Sequence, residues 1–247
     1  MRARTWLVAV VPLALAGCFE FAADSDFRAD GSALITAEIG VSQQLATVLS
    51  GQTKPGPADL LGECEKPRPA ASLPAGVRSI TGKRSQRGDM ALCTYVIDVA
   101  DPVAAAEAQS RAAADRAPGL RGLDRPTLKL ERLREGVYRL SATFKPIDDL
   151  LPRTGQTAED LTANAMLLAM SANRYVTLTV SALRIENTTG ELQTDGRKVT
   201  WKLPLLALVK SMPGTPTEIR ADIVYAEGWT TKIRRWLGMD EAPRTAR

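Results

Sequence analysis

Apolar and polar residues alternate with a period of two through much of this chain, and small turn-forming residues cut the alternation into pairs of runs. That period is the mark of a strand with one buried face. Residues 19–28 alternate loosely, Asp30-Gly31 supplies a tight turn, and 32–40 return with Leu34, Thr36 and Glu38 set against Ile35, Ala37 and Ile39. Asp-Gly between two alternating runs predicts a hairpin, because glycine accepts a positive φ. The same arrangement recurs at 77–83 and 92–99 around Arg87-Gly88-Asp89, and at 127–133 and 137–144 around Glu135-Gly136. It recurs again at 191–193 and 198–203 around Asp195-Gly196, while 175–183 and 217–225 read as further strands. Val199, Trp201 and Leu203 share one strand face, so Trp201 is expected in the core; a lining position in a ligand cavity is the alternative.

Three segments carry helical signals instead. Ser42 can cap a short helix through Leu49, ending at Gly51. Asp101-Pro102 opens an alanine-rich helix to about residue 116, with aspartate as cap and proline where its missing N–H costs nothing. Thr157-Ala158-Glu159-Asp160 has the form of a capping box, and Leu161, Ala165, Leu168 and Ala169 then line one helical face. Residues 51–76 are rich in proline and glycine. The expected fold class is α+β: an antiparallel sheet built from hairpins, with three helices packed on one face. Residues 18–226 form a single domain in this reading. Residues 227–247 form a basic amphipathic tail, with Trp229, Ile233, Trp236 and Leu237 interleaved with Lys232, Arg234 and Arg235. Such a tail can lie on anionic headgroups, which makes Trp229, Lys232, Arg234, Arg235 and Trp236 membrane-interface candidates. The alternative is a short helix docked on the domain.

The first 17 residues stand apart. Arg2 and Arg4 precede an apolar run from 6 to 15 that Pro12 interrupts. A bilayer-spanning helix needs about 20 apolar residues, so this run is read as a secretory signal peptide over 1–17. Its last residues and the one that follows, Leu15-Ala16-Gly17-Cys18, resemble the lipobox of bacterial lipoproteins. The resemblance implies that Cys18 takes a diacylglycerol thioether, that the signal is cut before it, and that the new amine is often acylated with a chain such as palmitate. The protein is then extracytoplasmic and lipid-anchored at the cell membrane or outer membrane. No second apolar run is long enough to span; residues 203–209 are short and contain Pro204.

The remaining cysteines, Cys64 and Cys93, are even in number in an oxidising compartment, and we expect them to pair. Two buried thiols are the alternative. The chain contains no histidine, which removes Ser-His-Asp and Cys-His catalysis and histidine-ligated zinc. No cofactor or metal site is expected, and adjacent acids such as Asp148 and Asp149 read as a solvated loop pair rather than an active site. Removing Arg2 and Arg4 from the formal charge of +4 leaves +2, too small an excess for a nucleic-acid footprint.

Several stretches taken together resemble the LppM-like lipoproteins of bacteria. They are the lipobox, Asp30-Gly31, residues 41–49, Asn187-Thr188-Thr189-Gly190, and the run from Asp195-Gly196 through Val199-Thr200-Trp201, followed by a final strand. The resemblance implies an α/β envelope lipoprotein whose relatives have been linked to lipid or glycolipid binding, and it brings no catalytic residue. Many members carry a C-terminal transmembrane helix, for which this chain shows no apolar run. The functions to weigh are therefore a tethered binding module for an apolar ligand, or a non-enzymatic interaction or assembly protein with an envelope protein partner.

Overall fold

The alternating runs fold as strands and their turn residues fold as turns. The structure is a computed structural model that describes residues 19–42, 61–62, 64–115, 127–143, 174–204 and 218–229. In chain order these residues form β1 (Phe19–Phe27), β2 (Ala33–Ser42), β3 (Val77–Arg87), β4 (Met90–Val99), helix α1 (Pro102–Asp115), β5 (Thr127–Arg134) and β6 (Val137–Thr143). They are followed by β7 (Tyr175–Ser181), β8 (Arg184–Glu186), β9 (Glu191–Leu192), β10 (Lys198–Pro204) and β11 (Glu218–Val224). A short 3-10 turn spans Ala70–Ser72.

Two sheets replace the one expected. The larger has seven strands in the order β3-β4-β2-β1-β7-β10-β9; the smaller has four, β5-β6-β11-β8. The pair β1–β7 is parallel, with Ala23 opposite Leu178, so the large sheet is mixed. Among the described residues α1 is the one α-helix seen over its whole span, and the fold is mostly β. The expectation of three helices on one face of an antiparallel sheet is thus overturned. Ser42, expected to cap a helix, is the last residue of β2 and pairs with Met90. The rest of that helix (43–49) and the one expected at 157–169 lie outside the described residues. The physical reason for the sheet error is plain. A period of two states that one face of a strand is buried, but says nothing of which strand lies beside it.

The expected turns are in place. Gly31, Gly88, Gly136 and Gly196 all hold positive φ at the predicted hairpin tips. The helix α1 starts as anticipated: the Asp101 carboxylate accepts from the backbone N–H of Val103 and Ala104 at 3.1 and 3.2 Å.

The buried side chains form two clusters. The larger lies between the sheets, joining Val180, Val199, Trp201 and Leu203 to Tyr138, Ala142, Ile219, Ala221 and Ile223, with Ala106 of α1 at its margin. The smaller joins Val41, Leu61, Cys64 and Cys93 at the β2–β4 flank of the same face of the large sheet.

Candidate functional site

The two clusters are separated by the middle of the large sheet, and this gap is where the candidate site lies. Register places the inner residues of β4, β2, β1, β7 and β10 in rows across the sheet. One row is Ile97, Ile35, Ser25, Val180 and Val199. The next is Tyr95, Ala37, Ala23, Leu178 and Trp201, and the next Cys93, Ile39, Phe21, Val176 and Leu203. The opposite face carries Thr94, Thr36, Glu38, Asp24, Thr177, Thr200 and Lys202. Alternation therefore makes one face apolar across five strands. Its β10 members and Cys93 on β4 are fully buried: Cys93 at 1%, Val199 at 0% and Trp201 at 3% exposure. Tyr95 and Ile97 on β4 are half-buried, and so is the centre, at Phe21, Ala23, Ile35, Ala37, Ile39, Val176 and Leu178. Ser25, Ala23 and Ala37 are the small members, with Ile35, Ile39, Phe21 and Leu178 around them. Register thus sets short side chains between bulky ones along the half-buried middle of this apolar face, a strip called the trough below.

Each side of this trough is fastened. On one side Cys64 and Cys93 form a disulfide with Cα atoms 5.9 Å apart, as the cysteine count predicts. The Cys64 main chain crosses Gly82 so closely that a Cβ there would sit 1.7 Å from the Cys64 carbonyl oxygen. Glu65 then accepts from the backbone N–H of Arg84 on β3 at 3.2 Å. On the other side the turn Asn187-Thr188-Thr189-Gly190 ties the two sheets. Thr189 Oγ1 accepts from the Trp201 indole Nε1–H at 3.2 Å and from the Arg220 N–H at 3.0 Å. It donates to the Glu218 carbonyl at 3.2 Å. Gly190 packs against the Trp201 ring, 2.7 Å from where a Cβ would stand. Trp201 is thus core, held by its polar handle. Replacing Thr189 by valine leaves that indole N–H without a partner, and urea unfolding should show a loss of about 1–2 kcal/mol.

Two groups that the sequence reading did not single out brace the small sheet. Asp222, 4% exposed, accepts a two-pronged bond from Arg139 at 2.7 and 2.9 Å. It also accepts from Asn187 Nδ2 at 2.7 Å. The Arg139 guanidinium, first of all, holds the Asp222 carboxyl below its ordinary range, although burial opposes it. Tyr138 stacks on Tyr225 at 4.5 Å and donates to the Gly31 carbonyl at 3.2 Å. Burial pushes its phenol above the usual value.

Among the membrane-interface candidates, Trp229 is described, and it is 65% exposed. It borders a cavity of about 390 Å³ together with Arg134, Leu183, Arg184 and two acids, Glu135 and Glu227. Lys232, Arg234, Arg235 and Trp236 lie outside the described residues, as do Cys18, Asp148 and Asp149. Among the described residues, no helix is long and apolar enough to cross a membrane.

No family model and no curated protein matches the chain. Among solved structures it is similar to the NMR structure of the folded domain of LppM from Mycobacterium tuberculosis, at 15% identity and a TM-score of 0.43, over 87% of this chain and 94% of that one.

Proposed function

We propose that this chain is a lipid-anchored extracytoplasmic binding module that lays one hydrocarbon chain of an envelope lipid or glycolipid along the Ala23–Ala37 trough. Cys18 is the acylation site in this reading, and the domain acts by holding its ligand, without catalysis. The half-buried apolar middle of the large sheet carries the proposal. Each methylene removed from water contributes roughly 0.8 kcal/mol, so a lipid chain covering this row gains affinity without any charged contact. The assembly-protein alternative would hold its partner by the C-terminal tail or by a free strand edge. The long edge strand β3 is a poor one: Glu65 occupies the Arg84 N–H, and Arg78, Lys83, Arg84 and Arg87 line it.

The test is to fill the trough. Ala37→Trp should abolish uptake of a fluorescent fatty acid by the lipid-free protein. It should also remove lipid recovered by mass spectrometry from organic extracts of the purified chain. Thermal unfolding and the absence of free thiols at Cys64 and Cys93 report that the variant is folded. Undiminished uptake by a folded Ala37→Trp protein would sink the assignment of this site.

A further inference from the structure

The chain enters β1 at Phe19, the residue directly after Cys18, so no linker separates the anchoring cysteine from the domain. Successive Cα atoms are about 3.8 Å apart, which confines the start of β1 to the headgroup layer whenever Cys18 carries membrane-inserted chains. The strand register then dictates what else lies at that level. Phe19 is opposite Val41, Val41 is opposite Ala91, and the β3–β4 tip at Arg87-Gly88-Asp89 follows directly. On the other flank β7 runs parallel to β1 and begins with Tyr175 at the same end, opposite Pro204. Tyr175 is 51% exposed. The Arg87 side chain is 60% exposed, and it pairs with Glu20 and Glu38. Arg174 reaches Glu20 at 3.7 Å, while its own Nε is buried with no partner.

The other end of the molecule is a different place. Nine residues of β1 cover roughly 30 Å at about 3.3 Å each, and at their far end Gly31 meets Tyr138 and Tyr225. Tyr225 is four residues before Trp229, and Leu183 and Arg184, which follow β7, border the Trp229 cavity. Trp229 therefore belongs to the pole opposite the anchor. Its charges also cancel, with Arg134 and Arg184 balanced by Glu135 and Glu227.

We infer, on the reading of Cys18 as the lipidated residue, that the domain stands on the leaflet by the pole carrying Tyr175, Arg87 and Arg174, in contact with phospholipid headgroups, and that Trp229 points away from that leaflet. An exposed tyrosine suits the headgroup layer, where its ring meets the acyl boundary and its hydroxyl meets water. Arginine on a short hairpin tip supplies donors to phosphate.

Depth-dependent quenching by brominated phospholipids tests this. The protein is taken from Cys18 onward, natively acylated or coupled through Cys18 to a maleimide lipid in vesicles of phosphatidylethanolamine and phosphatidylglycerol. Intact mass on envelope material judges the acylation reading separately; the coupled protein tests the orientation whatever that result. With Trp201 as a constant background, Tyr175→Trp in a W229F/W236F chain should lose most of its added emission to bromines near the headgroups. Trp229 in a W236F chain should keep its emission. Amide exchange of the unaltered sequence supplies a second readout: residues 86–91 should slow on vesicles and 28–32 should not. Quenching of Trp229 with sparing of the Tyr175→Trp indole, or equal quenching of both, overturns the inference.

Discussion

Replacing Cys64 and Cys93 together by serine should lower the unfolding free energy by about 3–4 kcal/mol, read from urea denaturation under oxidising conditions. The two cysteines are 29 residues apart, and closing a loop of that length removes roughly that much conformational freedom from the unfolded chain. The loss has a structural side as well. Both cysteines are buried at 1% exposure, in a cluster with Val41 and Leu61 that is separate from the main core. No other covalent link among the described residues ties that cluster together, so the cystine organises a second core rather than reinforcing the first. It also holds the Cys64 main chain over Gly82 and Glu65 on the Arg84 N–H. The serine pair should therefore expose the β3 edge, and light scattering should show association at concentrations where the oxidised protein stays dispersed. A change below about 1 kcal/mol with no added scattering would mean that the 64–65 segment is held by something other than the bond.

This contrast explains which parts of the fold are legible in the sequence. The cystine follows from parity and from the oxidising compartment that the lipobox resemblance implies. The hairpins follow from Asp-Gly and Glu-Gly steps between alternating runs, because both signals are local: a glycine that accepts positive φ fixes its own turn whatever surrounds it. Sheet membership is not local. Nothing in the residues of β1 states that β7, more than 140 positions later, lies parallel beside it; this follows from which apolar faces remain unburied once the hairpins have formed. The trough is half legible for the same reason. Ala37 between Ile35 and Ile39 is visible in the sequence, but its alignment with Ala23 and Leu178 exists only in the assembled register. Trp229 reads as amphipathic and interfacial, yet the pole it occupies depends on strand direction alone. The three residues of β8 give no signal because a run of that length has no period.

Asp222→Ala should cost about 2–4 kcal/mol at neutral pH, the second large effect expected here. In β11 this aspartate breaks a run of buried apolar residues, Ala221, Ile223 and Val224, and an isolated charge there would be strongly unfavourable. Arg139 and Asn187 together supply three hydrogen bonds to its carboxylate. Removing the carboxylate leaves the guanidinium and the Asn187 amide without their acceptor, although the Arg139 side chain, 31% exposed, keeps some access to water. The loss should accordingly fall below that of a fully buried pair. A double-mutant cycle with Arg139→Ala should return a coupling of at least about 1 kcal/mol, and additive losses would show that the pair is bystander geometry. Acid supplies an independent check. Arg139 depresses the folded-state pKa of Asp222 below the ordinary aspartate value of about 3.9. The unfolded chain therefore takes up this proton before the folded one does. The stabilisation is complete above that ordinary value and fades as the pH falls through the depressed one. Wild-type stability should drop more steeply than that of Asp222→Asn below about pH 4. The two curves should converge at the acid end, where both side chains are neutral. Parallel curves across that window would place the acid sensitivity in other carboxylates and leave Asp222 with a packing role only.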